Sequence, residues 1–89
     1  MKLFKSIDER FADIGFIKMK ENKYGAVYER KNEEFGYIQV LSLLHKHSGK
    51  HLIQSYQKDL NTDNYNNSIG LTVHESILAI KKMKKMGFL

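Results

Sequence analysis

Hydrophobic spacing in this chain changes period twice, near Phe16 and near Thr72, and this double switch constrains the fold more than any single residue. Ahead of the first switch, Phe4, Ile7, Phe11 and Ile14 stand three, four and three residues apart, a spacing that gathers them on one face of an α-helix. Ser6 and Glu9 have the separation of a capping box, but Leu3 and Phe4 also fit the stripe, so the start is placed between Lys2 and Ile7. Gly15 closes the helix, and Phe16 is positioned to pack back on Phe11.

Beyond Phe16 the period becomes two. Ile17 and Met19 alternate with Lys18 and Lys20 up to a polar turn at Glu21-Asn22-Lys23. From Tyr24 to Lys31, Tyr24, Ala26 and Tyr28 share one side, opposite Val27 and Glu29, and Asn32-Glu33-Glu34 turns the chain again. The run from Phe35 to Lys46 is apolar on both faces, with Ile38, Val40 and Leu44 on one and Tyr37, Leu41 and Leu43 on the other. His47-Ser48-Gly49 makes the next turn. With Gly49 in a left-handed bulge, Lys46 opposes Lys50, Leu44 opposes Leu52 and His45 faces His51, which aligns Ile38, Val40, Leu44, Leu52 and Tyr56. The stretch from Asp59 to Ser68 is dense in turn formers and reads as the longest loop. Thr72 and Glu75 then form a second capping box, Val73, Ile77, Ile80 and Met83 supply an apolar stripe, and Gly87-Phe88 repeats the Gly-Phe closure of the first helix.

The expected fold class is α+β: two layers, an antiparallel sheet of three or four strands flanked by an N-terminal and a C-terminal helix, in the order α-β-β-β-β-α. A chain of 89 residues has room for one hydrophobic core, so residues 1–89 are read as a single domain. No cysteine is present, which removes disulfides, thiolate metal ligands and thiol nucleophiles. No apolar run reaches membrane-spanning length and the N-terminus carries no signal-peptide core, so no membrane contact and a cytoplasmic location are expected.

Fifteen Lys and Arg against ten Asp and Glu leave a charge of +5, a moderate attraction for polyanions. Only two of these cations are Arg, the residue suited to bidentate reading of bases and phosphates, so any nucleic-acid contact is expected to be non-specific. Its candidates are Lys81, Lys82 and Lys85, which helical projection places on the side away from the apolar stripe. Leu78 projects among these lysines. With Tyr37, Leu41 and Leu43 on one face of the two-sided apolar strand, it is a candidate interface residue. His45, His47 and His51 surround one hairpin turn and are the candidate metal ligands. Asp59, Asn61 and Asp63 match the start of a calcium loop, but Asn64 stands in place of the turn glycine and Gly70 in place of the bidentate glutamate.

No nucleophile beside a base, carboxylate pair, phosphate-cradling glycine loop or zinc helix has its required spacing, so neither enzymatic activity nor a cofactor is expected. The α-β-β-β-α order invites comparison with the double-stranded-RNA-binding domain. That family places lysines at the start of its second helix and a Gly-Pro loop between early strands; here the helix starts Thr72-Val73-His74-Glu75 and there is no proline. The stretch from Gly70-Leu71-Thr72-Val73-His74-Glu75 to Met86-Gly87-Phe88, with a cysteine-free composition rich in Lys, Asn, Ile and Tyr, resembles the small uncharacterised proteins of prophages and mobile elements of low-GC Gram-positive bacteria. The resemblance implies no particular functional residue. The expected function is a non-enzymatic accessory role through protein–protein interaction, in its simplest form as a homodimer. Non-specific polyanion binding and metal binding at the histidine hairpin are the alternatives.

Overall fold

The computed structural model describes residues 4–46, 48–58 and 67–89, in the order α1 (Ile7–Asp13), β1 (Ile17–Asn22), β2 (Gly25–Asn32), β3 (Tyr37–His45), β4 (His51–Gln57) and α2 (Val73–Lys85). The four strands form one antiparallel sheet, as the expected fold class has it, and their order in the sheet is β1-β2-β3-β4. Both capping boxes are present: the Ser6 and Thr72 hydroxyls accept the backbone N–H of Glu9 and Glu75, whose carboxylates accept the cap N–H groups in return. The first helix therefore starts at Ile7, and Phe4 stays exposed rather than joining the stripe. Gly15 and Gly87 both take positive φ, and the Phe that follows each donates its N–H back into the helix, Phe16 to Phe11 O and Phe88 to Met83 O. Phe16 meets Phe11 edge-on with centroids 6.0 Å apart.

The β3–β4 register is the one the turn chemistry implies. Leu44 pairs with Leu52 and His45 with His51, the Lys46 N–H donates to Lys50 O, and Gly49 has φ +81°. Beyond β4, Tyr56 bridges Ser68, so residues 67–69 cover part of that strand's outer edge.

Beneath the helices, Ala26, Tyr28, Leu41 and Leu43 pack against Phe11, Phe16, Leu78, Ala79 and Met83. Leu41, Leu43 and Leu78 are thus core residues, and the expectation of an interface surface there is corrected: the chain's own helices cover that face of β3. Tyr37 shares the face but is only half-buried, its hydroxyl accepting from Asn32 Nδ2.

Two further expectations fail for identifiable reasons. In β1 the ladder runs Lys18↔Tyr28 and then Lys20↔Val27, leaving Met19 as the extra residue of a bulge. Lys18 and Glu21, three apart and so on opposite faces of a regular strand, are brought to the helix side together, while Ile17 and Met19 are both 56% exposed. In α2 the expected stripe is split: Met83 is buried, as the spacing implies, but its other three members turn outward. Val73, Ile77 and Ile80 are 77%, 45% and 40% exposed, whereas Glu75, Leu78, Ala79, Lys82 and Met83 face the sheet.

Leu78→Ala is expected to cost about 2–4 kcal/mol in urea unfolding, and Val73→Ala less than about 0.5 kcal/mol. The reverse ranking would mean that α2 is rotated about its axis relative to this arrangement.

Candidate interaction surface

The inward face of α2 is held by charge at both ends. Glu75 receives Arg30 Nη1 from β2 at 2.7 Å, while Arg30 also donates to Gln39 Oε1 and Ile14 O and lies 4.2 Å from the Phe16 ring centre. Seven residues on, the Lys82 ammonium reaches Glu21 Oε1 at 2.7 Å and Asp8 Oδ1 at 3.1 Å. Lys18 joins the same two carboxylates at 3.0 and 3.2 Å, and the Tyr28 hydroxyl donates to Asp8 Oδ1 at 2.6 Å.

The titration shifts follow from these contacts. Burial alone would raise the Asp8 carboxyl, but hydrogen bonds from Tyr28, Lys18 and Lys82 outweigh it and hold it at about 2, below the usual 3.8. The bond from Lys82 lowers Glu21. For Glu75, burial opposes and the Thr72 and Arg30 hydrogen bonds prevail, so it too is lowered. Burial, followed by the Asp8 contact, pushes the Tyr28 hydroxyl upward. No buried side-chain polar atom among the described residues lacks a hydrogen-bond partner, so the cluster reads as a satisfied structural network and not as a strained reactive centre.

This changes the lysine ridge expected from the sequence. Lys81 and Lys85 are exposed, but Lys82 is only 6% exposed and committed to the ionic cluster, because the helix turns it toward the sheet together with Glu75, Leu78, Ala79 and Met83. The expectation that Lys82 faces outward is therefore corrected.

At the hairpin, His45 and His51 are brought together, with Nδ1 atoms 3.0 Å apart. Phe88 lies over both rings at centroid distances of 4.8 and 5.9 Å. His47, the third candidate ligand, lies outside the described residues, as do Asp59, Asn61 and Asp63 of the calcium-like pattern.

Both helices sit on one side of the sheet, and among the described residues none covers the other side. The shortest dimension of the molecule is 22 Å, about one helix layer on one sheet. The ladder puts Ile17 and Lys20 of β1, Val27, Glu29 and Lys31 of β2, Ile38, Val40, Ser42 and Leu44 of β3, and Leu52, Gln54 and Tyr56 of β4 on this open face. Lys58 Nζ meets Glu29 Oε2 at 3.0 Å. Val40, between Glu29 and Tyr56 in the ladder, is buried even without a helix above it. Two shallow depressions adjoin this face, one of about 200 Å³ beside Lys20, Tyr24, Val27 and Leu44 and one of about 370 Å³ beside Ile17, Met19, Lys31 and Ile38. The sequence signal was present in the second apolar face of β3; which of the two faces stays uncovered depends on where the helices settle.

Comparison with family models, with curated proteins and with solved structures found no match. Among the described residues no helix is long and apolar enough to cross a membrane.

The acid limb of stability is expected to follow Asp8. Its folded value lies below its unfolded one, so its contribution is full above about pH 4 and is lost as pH falls toward 2. Thermal melts of Asp8→Asn between pH 2 and 6 should show a flatter acid limb than wild type; an unchanged slope would assign acid sensitivity to other carboxylates.

Proposed function

We propose that this chain is a non-enzymatic accessory protein that acts by binding protein through the open face of its sheet, and that the partner in the simplest form is a second copy. One observation carries the reading: a four-stranded face over which no described helix lies, with half-buried Ile38 and Leu44 flanking a buried Val40 at its centre.

Size and charge fit a weakly associating second copy. Four strands about 4.8 Å apart, with a rise of about 3.3 Å per residue, give this face roughly 500 Å² in projection. A patch of that size sits at the low end for a specific interface, so self-association is expected to be weak. A two-fold axis across the strands, between the levels of Ser42 and Val40, sets Leu44 opposite Ile38 of the second copy, Lys20 opposite Ile17 and Lys31 opposite Gly25. No like charges stand directly opposite, and each Lys20 comes beside Glu29 of the other copy, the strand neighbour of Ile17. The polyanion reading is weaker, because it loses Lys82 to the interior and keeps only Lys81 and Lys85 of its three cations.

Light scattering at about 0.1–0.5 mM is expected to give the mass of a dimer. Ile38→Glu should weaken self-association at least about ten-fold by placing a charge at the centre of the face. Val73→Glu, on the outer side of α2, should leave it unchanged. A monomeric wild type across that range, or a dimer broken by Val73→Glu and not by Ile38→Glu, would refute the proposal.

A further inference from the structure

The sheet register gives one more feature, separate from the open face. His45 and His51 stand directly opposite each other at the end of the β3–β4 ladder, on the helix side. Their rings are inclined by only 15°, and their centroids are 4.9 Å apart although the Nδ1 atoms are 3.0 Å apart. The imidazoles therefore meet edge to edge through Nδ1. In this contact one ring donates its Nδ1–H and the other accepts, so the accepting ring carries its proton on Nε2.

Two cross-strand imidazoles with adjacent nitrogens form a chelating pair. Metal–nitrogen bonds of about 2.0–2.1 Å place two ligand atoms about 2.9 Å apart when they subtend a right angle, and about 3.3 Å apart at the tetrahedral angle. The observed 3.0 Å, spanned here by an Nδ1–H, already holds the two nitrogens within this range. We propose that His45 and His51 form a two-imidazole site for a divalent late transition metal, copper(II) above all. Copper(II) has the highest affinity for nitrogen ligands in the first-row series, and nickel(II) ranks below it.

Binding needs only local change. Each ring turns about its Cβ–Cγ bond until the two Nδ1 lone pairs converge, and the ring that held Nδ1–H moves its proton to Nε2 through solvent, so a neutral pair binds without net proton loss. Lys46 and Lys50, next to the histidines in sequence, do not oppose the cation as their proximity suggests. Strand alternation puts their side chains on the other side of the sheet, and their backbones continue the ladder, Lys46 N–H to Lys50 O. On the histidine side the neighbour is Phe88, whose ring lies at 23° to His45 and 8° to His51 and is neutral. Among the described residues no cluster of three or more His, Cys, Asp or Glu forms, so the remaining coordination positions go to water or a small anion, as in an open site.

Isothermal titration of the full chain with copper(II), in a buffer containing glycine as a weak competitor, tests this, together with electron paramagnetic resonance of the loaded protein. One saturable equivalent is expected, with a spectrum showing two equatorial imidazole nitrogens and affinity falling from copper(II) to nickel(II). His45→Ala and His51→Gln should each weaken binding at least about ten-fold, while His47→Ala and His74→Ala stay within about three-fold. Far-UV circular dichroism of each variant separates loss of ligand from loss of fold, and His51→Gln is the more conservative of the two. The proposal fails if the wild type binds no copper(II) saturably, if folded His45 and His51 variants bind as wild type does, or if His47→Ala alone abolishes binding.

Discussion

The placement of the buried Lys82 ammonium governs more of this molecule than any apolar contact. Taking a lysine out of water costs several kcal/mol unless its charge is met, and here Glu21 and Asp8 meet it from two different elements. Glu75, two helical turns earlier on the same face, is met by Arg30 from β2. Two opposite charges anchored at both ends of one face leave α2 a single rotation. Turning the helix to bury Val73, Ile77 and Ile80 would expose Leu78 and Ala79 and take Lys82 and Glu75 away from Glu21, Asp8 and Arg30, leaving Lys18 as the cation beside the two carboxylates. Leu78, now fully buried, would lose about 2–4 kcal/mol of packing, and the ionic contacts of Glu75 and Lys82 would go with it. The observed rotation keeps the ionic contacts and the burial of Leu78, Ala79 and Met83 together.

The bulge at Met19 is part of the same arrangement. Without the extra residue, Glu21 would point to the open face, and Lys82 would be left with Asp8 alone. The bulge also suits an edge strand, where irregular pairing and exposed lysines discourage another chain from adding to the sheet. One inserted residue thus completes the ion cluster around Lys82 while Ile17 stays on the uncovered side.

Local chemistry was readable from sequence wherever a few neighbouring residues decide the outcome. Both capping boxes, both Gly-Phe closures and the Gly49 register are set by contacts spanning about six residues or fewer, and each appears in the structure as the spacing implied. The rotation of α2 was not readable, because it depends on Glu21, Asp8 and Arg30, which are 45 or more residues away in sequence. Hydrophobic projection weighed Val73, Ile77 and Ile80 against Lys82 as if every lysine preferred water, and a lysine with two carboxylates waiting does not. The same error moved Leu78 from core to surface and placed Lys82 on an outer ridge. On the histidine hairpin, the opposition of His45 and His51 was legible from the turn alone, whereas Phe88 lying over them was not, since it arrives from the far end of the chain.

The uncovered side of the sheet follows from connectivity. A meander of four strands offers two faces, and α1, entering before β1, settles against the face that carries Tyr28 because its Asp8 accepts from that hydroxyl. After β4 the chain returns across the sheet so that α2 lies beside α1, where Lys82 can reach Asp8 and Glu21. Once α1 has chosen a face, the shared carboxylates oblige α2 to choose the same one, since a helix on the other side could not bring Lys82 to them through the sheet. The ion cluster that fixes the rotation of α2 therefore also gathers both helices into one layer, and Ile17, Ile38 and Leu44 are left without cover from either helix.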